Sequence, residues 1–159
     1  MRVWSHDHLS FPLPAGHRFP AGKYGLLRER VEAAGLATTL DVAGPAGSLP
    51  DGIQLAAYRV VQEALTNISR HARARNAELV LRREGSEILC TVRDDGIGFD
   101  AAKVQSPGNH GRGLGLIGMK ERLSAVGGSL VLSSLPGRGS ELVFAIPLEL
   151  SYVGTNTPR

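Results

Sequence analysis

The sequence predicts an α/β fold, a two-layer α/β sandwich with helices packed on one face of a mixed, mostly antiparallel sheet. Three observations predict it. A long amphipathic pattern near the middle of the chain carries one apolar stripe that needs a sheet to receive it. Two pairs of short apolar segments are each joined by a glycine-containing turn, the pattern of a hairpin. Helix and strand patterns alternate along 159 residues, a length that suits one domain burying its own core.

Residues 1–23 are rich in Pro, Gly and His and show neither helical nor strand periodicity, so they predict an irregular lead. The domain is expected over 24–150, followed by a disordered tail at 151–159. YGLLRERVEAA (24–34) predicts a short helix ended by Gly35, and ATTLDV (37–42) a strand. GPAGSLPDG (44–52) is a connector. The longest helix is expected from Asp51 to about Ala74, with Ile53, Ala57, Val60, Val61, Ala64 and Ile68 on one stripe. AELVLRRE (77–84) and EILCTVRD (87–94) predict a hairpin turned by Gly85-Ser86. A glycine-rich stretch runs from Gly96 to Gly115, and a helix follows over roughly 116–126. SLVLSS and SELVFAIPL, turned by PGRG, predict a second hairpin.

Composition narrows the function. The formal charge of +3 and pI near 9.4 favour anionic partners. No run of Lys and Arg interleaved with aromatics marks a nucleic-acid surface, so a phosphate-bearing small molecule suits the charge better. The single cysteine, Cys90, supplies neither a disulfide framework nor a cysteine metal site, which points to a reducing, cytoplasmic compartment. Apolar runs of a few residues fall far short of the roughly 20 that span a bilayer, so no direct membrane contact is expected.

Four features could carry chemistry. On the long helix, Glu63, Asn67 and Arg70 fall together at one edge of the apolar stripe and offer a proton acceptor, a neutral oxygen ligand for a hard cation and a phosphate clamp. Taken alone, the trio reads more simply as a solvated helix edge, and His71, nearer the stripe, as a packing or capping residue. Asp94-Asp95-Gly96-Ile97-Gly98-Phe99 ends an apolar strand, where an aspartate can accept a hydrogen bond from an exocyclic amine and the glycines allow close approach. A plain turn is the alternative. Gly111-Arg112-Gly113-Leu114-Gly115-Leu116 opens a predicted helix and offers free backbone N–H groups to an anion. QSPGNH before it is a loop rather than a strand, which excludes a dinucleotide-binding turn, and no P-loop pattern occurs. Pro136-Gly137-Arg138-Gly139-Ser140 makes a hairpin turn whose serine could complete a polar pocket floor.

In order, QEALTNISRHARA (62–74), DDGIGF (94–99), GRGLGLIGMKERL (111–123) and GRGS (137–140) resemble the N, G1, G2 and late GxG[ST] boxes of the gyrase/chaperone/histidine kinase ATPase superfamily, whose architecture is the Bergerat fold. The wording of the first and third boxes is similar to the sensor histidine kinases that partner helix-turn-helix response regulators, and the similarity covers roughly 32–148. The resemblance implies ATP and Mg²⁺ as cofactors. Asn67 would ligate Mg²⁺, Glu63 would be the acidic helper or base, and Arg70 would approach the phosphates. Asp94 would bind the adenine amine with support from Ser140, while Gly96 and Gly98 shape the base pocket. Gly113 and Gly115 would hold the phosphates, with Gly111, Leu114 and Leu116 alongside in the same segment. The stretch of about 100–112 would be a mobile lid.

The resemblance further implies two-component signalling, with a phosphoacceptor histidine domain and a response regulator as partners, in the cytoplasm or in the cytoplasmic part of a membrane-bound sensor. Residues before 32 show no pair of long amphipathic helices, and His6, His8 and His17 lie in a Pro-rich context, so the acceptor histidine is expected outside this chain. A nucleotide-dependent interaction module without phosphotransfer and an anti-sigma-type serine kinase are the alternatives. Residues 2–31 are separately similar to the opening of bacterial histone-deacetylase-like hydrolases, whose zinc ligands and catalytic histidines have no counterpart here.

Overall fold

A computed structural model describes residues 21–43, 49–105 and 114–148. In chain order the elements are α1 (Ala21–Ala33), β1 (Ala37–Ala43), α2 (Asp51–Asn67), a π-helical turn (Ile68–Ala72), β2 (Asn76–Glu84), β3 (Glu87–Asp94), α3 (Ala101–Gln105), α4 (Leu114–Ser124), β4 (Ser129–Ser134) and β5 (Ser140–Pro147). The strands form one sheet in the order β1-β2-β3-β5-β4. Only the β1–β2 pairing is parallel, because α2 returns the chain to the same end of the sheet; the other three pairings are antiparallel.

Strand alternation explains why the helices share one face. Leu79, Leu81, Ile88, Cys90, Val92, Leu142, Phe144 and Ile146 point the same way and are buried. Register makes that face continuous, since Val92 pairs with both Leu79 and Leu142 and Cys90 with both Leu81 and Phe144. Against it α2 lays Ile53, Ala57, Val60, Val61, Ala64 and Ile68, together with Ala56 and Leu65, and α4 adds Leu116, Met119 and Leu123. Removing each Val, Leu or Ile side chain from water contributes roughly 1.5–3 kcal/mol, so this one interface dominates the stability of the domain. Val131, on the opposite face of edge strand β4, stays exposed.

The first helix begins at Ala21 rather than Tyr24, and it belongs to this core. Tyr24, Leu27 and Val31 recur at helical spacing and are buried within the same cluster as α2 and the sheet. Tyr24 stacks edge-on against Tyr58 of α2, with ring centroids 5.8 Å apart at 61°. From Ala21 onward, therefore, the stretch likened to a deacetylase opening is part of the α/β domain. The irregular lead before it, the connector residues 44–48, residues 106–113, which include the rest of the expected lid, and the tail from 149 lie outside the described residues.

Two elements differ from expectation. The stretch expected as one helix to Ala74 is α-helical only to Asn67; Ile68–Ala72 forms a π turn, and Arg73 ends it in the left-handed conformation at φ 51°. The beginning of the expected lid is a short helix. Asp100 caps it by accepting a hydrogen bond from Lys103 N at 3.3 Å, the N-cap role that aspartate fills well.

Candidate functional site

The end of α2, the π turn, the start of α4 and the ends of β3, β4 and β5 enclose a cavity of about 740 Å³. That size falls within the roughly 300–1,000 Å³ typical of small-molecule sites. Its apolar walls come from Ile68, Val92, Leu116, Met119 and Leu142, and its polar groups are few: Asn67, His71, Asp94 and Ser140.

Asp94 is the buried carboxylate, 5% exposed at the end of β3. Ser140 is its register partner on β5. Burial pushes the Asp94 carboxyl above the usual aspartate range, opposed by hydrogen bonds from Gly96 N and from the Ser140 hydroxyl and backbone, while the neighbouring Asp95 charge adds to the rise. The Gly96 N–H donates to Oδ1 at 2.7 Å. A carboxylate has about four lone-pair sites, so acceptor capacity remains for an amine entering the cavity. Asp95, next in sequence, has another task. Its Oδ1 accepts from Arg75 N and Asn76 N at 2.9 Å each, and its Oδ2 from Asn76 Nδ2 at 2.6 Å, clasping the start of β2. Although partial burial acts upward, these bonds hold its carboxyl below the ordinary range.

The glycines around Asp94 are set by close backbone approach. A Cβ on Gly96 would collide with the carbonyl oxygen of Ala72, whose hydrogen-bond partner is Ile97 N at 2.8 Å. Gly98 has φ +59°, and a Cβ there would meet the Leu135 carbonyl. The loop after β3 is thereby pressed between the π turn and the β4–β5 turn. Ser134, which sequence reasoning missed, ties this corner together: its Oγ accepts from Phe99 N at 2.9 Å, donates to Gly139 O at 2.9 Å and lies 3.1 Å from Ser140 Oγ. The only signal for it was its place opposite Ser140 in the second hairpin.

Asn67, which also lines the cavity, donates from Nδ2 to Glu63 Oε1 at 3.2 Å, as their i, i+4 spacing predicts. That bond leaves the Asn67 carbonyl oxygen and Glu63 Oε2 uncommitted. Two hard oxygens on one helix face suit Mg²⁺, which takes one or two side-chain ligands and completes its shell with water and phosphate oxygens. Among the described residues no group of three or more His, Cys, Asp or Glu forms a fuller cage. Gly115, near the start of α4, sits directly over this pair: a Cβ on it would lie 2.6 Å from Glu63 Oε1 and 3.5 Å from Asn67 Nδ2. Leu116 follows into the cavity wall, and Leu114 starts the helix. Gly111 and Gly113 lie outside the described residues.

Arg70 is set apart from the cavity. A π turn closes i→i+5, so each residue advances less around the axis than in an α-helix. After Asn67 the cavity face therefore passes to His71 and Ala72, while Arg70 lines a separate hollow against α1. His71, expected to pack or cap, is exposed and lines the cavity.

Comparison with known proteins identifies the family and the fold. Residues 52–150 match the family described as histidine kinase-, DNA gyrase B-, and HSP90-like ATPase. The sensor histidine kinase YxjM of Bacillus subtilis is 39% identical over 125 residues, 78% of this chain and 29% of that protein. The signal transduction histidine-protein kinase/phosphatase DegS of Brevibacillus brevis is 31% identical over 117 residues, 74% of this chain and 29% of its own length. The chain thus spans under a third of these curated relatives. Among solved structures, the Acinetobacter baumannii histidine kinase AdeS superposes with a TM-score of 0.63 at 17% identity, covering 81% of this chain and 62% of that one. The histidine kinase domain of the Erythrobacter litoralis blue-light activated kinase EL346 gives 0.60 at 21% identity, covering 79% and 61%. These two likenesses concern the fold. Neither they nor the relatives support the deacetylase likeness of the opening residues. Among the described residues no helix is long and apolar enough to cross a membrane. With its four boxes gathered around one cavity and its match running from residue 52 to 150, the chain belongs to the histidine kinase-, DNA gyrase B-, and HSP90-like ATPase family.

Proposed function

We propose that this domain binds ATP with Mg²⁺ as the catalytic domain of a sensor histidine kinase and passes the γ-phosphoryl to a histidine outside residues 21–148. The observation that carries the reading is one cavity lined by both the buried Asp94 carboxylate and Asn67, whose carboxamide is hydrogen-bonded to Glu63. A base-reading acceptor and a cation ligand lining one cavity suit a nucleoside triphosphate. Asp94 accepts the adenine amine, with Gly96 and Ser140 orienting its carboxylate. The apolar walls take the faces of the base. Asn67 presents its carbonyl oxygen to the cation, which when bound would neutralise phosphate charge, and Glu63 Oε2 is left to accept a proton. His71 replaces Arg70 as the side chain at the cavity rim.

In the transfer, an imidazole nitrogen of the acceptor attacks the γ-phosphorus, the bond to the bridging oxygen breaks and ADP leaves. The imidazole proton passes to a carboxylate, a role open to Glu63. Catalysis of this kind rests on positioning and charge stabilisation. The partners are then a phosphoacceptor hairpin and a response regulator, in the cytoplasm. The decisive test is titration calorimetry with a non-hydrolysable ATP analogue with and without Mg²⁺. Saturable, Mg²⁺-strengthened binding is expected, and its absence overturns the reading. Mixing the chain with γ-labelled ATP and a separate histidine-bearing hairpin then separates a kinase, which moves label, from a nucleotide-switched interaction module, which does not.

A further inference from the structure

Three strands change from apolar to polar at the same level of the sheet. On the face toward the helices β3 presents Ile88, Cys90 and Val92 and then Asp94, while β5 presents Ile146, Phe144 and Leu142 and then Ser140. On the same face β4 presents Leu130 and Leu132 and then Ser134. Register sets the three polar residues in one row, with Asp94 opposite Ser140 and Ser140 opposite Ser134. Asp94 and Ser140 line the nucleotide cavity, and Ser134 stands behind them, outside its lining.

The protons available give the row a direction. Ser134 Oγ accepts from Phe99 N at 2.9 Å, and its single proton lies within reach of Gly139 O at 2.9 Å and of Ser140 Oγ at 3.1 Å. The Ser140 hydroxyl gives its own proton to Asp94, whose ionised carboxylate has none to return. The 3.1 Å contact therefore uses the Ser134 proton, shared with Gly139 O in a three-centre bond. The bonds run one way, from the Phe99 N–H through Ser134 and Ser140 to Asp94, and each polarises the next. Without the Ser134 hydroxyl, Ser140 loses the donor that keeps its own proton aimed at Asp94.

We infer that Ser134 is a positioning residue for base recognition: by holding the Ser140 hydroxyl as a donor to Asp94, it orients the Asp94 carboxylate toward the 6-amino group of adenine. This role rests on Asp94 accepting the adenine amine, the assignment proposed for the cavity. Ser134 acts through Ser140, one strand away from the base.

The test compares ADP with purine riboside 5′-diphosphate, which lacks only the 6-amino group, by competition calorimetry on the whole chain with Mg²⁺. The parent should prefer ADP by about tenfold or more, the worth of an amine bonded to a carboxylate. Ser134→Ala should cut that preference by roughly threefold to tenfold, the scale of one neutral hydrogen bond, and Ser134→Thr, which keeps the hydroxyl, should restore it. A role confined to holding the corner would loosen both nucleotides by the same factor, because Phe99 lines the cavity for either base; the ratio therefore separates the two roles. Thermal midpoints are measured alongside. Should Ser134→Ala fail to fold, Ser134→Cys, similar in size and only a weak donor, gives the same comparison. A parental ratio in the variant, or equal losses for both nucleotides, overturns the inference and leaves the nucleotide reading intact. A parent that binds neither nucleotide removes that reading and this role with it; a parent that binds both alike removes the Asp94 assignment on which the role stands.

Discussion

Asn67 donates its carboxamide N–H to Glu63 Oε1 at 3.2 Å, one helical turn back, and Gly115 closes over both. An aspartate at 67 would remove that donor and set a second carboxylate against the first. Asn67→Asp is therefore expected to leave the thermal midpoint within a few degrees, since both groups are only partly buried. Phosphoryl transfer to an added histidine hairpin should fall on the order of 100-fold, the scale seen when one charge-positioning group is lost. A variant that transfers label at the parental rate would remove Asn67 from the site.

At Asp94 binding and folding should separate. Asp94→Asn removes a charged acceptor but keeps a carbonyl for Gly96 N, so adenine-nucleotide affinity should fall about tenfold to a hundredfold, the worth of one charge-assisted hydrogen bond. Folding should respond with opposite sign. Because burial raises the folded-state carboxyl above its unfolded value, the stabilising contribution of Asp94 is fully present below about pH 4 and is lost as pH rises through the raised value. Without nucleotide, the melting temperature of Asp94→Asn relative to the parent should climb between about pH 4 and pH 7. A flat difference would contradict the burial cost.

Its neighbour should behave in reverse. Asp95 is exposed, yet it accepts three hydrogen bonds from Arg75 and Asn76 and has a lowered carboxyl. Its contribution is present above the ordinary aspartate value and lost as pH falls through the lowered one. Asp95→Ala should cost about 1–2 kcal/mol in urea unfolding at neutral pH, the net worth of one or two such bonds. If the fold is retained, nucleotide affinity should change far less than in Asp94→Asn.

Steric closeness makes Gly98→Ala a test of the corner beyond β3. The new methyl would meet the Leu135 carbonyl and force alanine to hold φ near +59°. The conformational term alone is about 1–2 kcal/mol, and the backbone collision adds to it. Chemical denaturation should show a loss of more than about 2 kcal/mol, and a loss below 1 would show that the loop can relax.

The π turn yields a paired comparison. With His71 on the cavity and Arg70 outside it, His71→Ala should weaken ATP-analogue binding by roughly threefold to tenfold, on the scale of one hydrogen bond, and Arg70→Ala by less. The reverse order, measured by calorimetry, would place the turn in another register when nucleotide is bound.

Much of this molecule was legible in one dimension. Period-two alternation located β2 through β5 within a residue or so, and helical spacing named five of the seven residues that α2 buries, missing Ala56 and Leu65. Order and wording of the four boxes led to the ATPase family before any distance was known. The failures cluster at the end of α2. Nothing in ISRHARA distinguishes an i→i+4 from an i→i+5 closure. The choice belongs to groups far away in sequence, as Asp95 anchors Arg75 and Asn76 and Ile97 N engages Ala72 O. With the chain held on both sides of Arg73, the last helical turn accommodates an extra residue.

What the sequence determined by itself was the set of elements, the apolar faces and the chemical types of the site residues, because these follow from local periodicity and side-chain inventory. Tertiary structure decided which of two adjacent aspartates is buried and which is a clasp. It also decided which of two adjacent basic side chains faces the cavity. Both choices depend on the rotation of the backbone about its own axis, and that rotation is set by hydrogen bonds between segments some twenty residues apart.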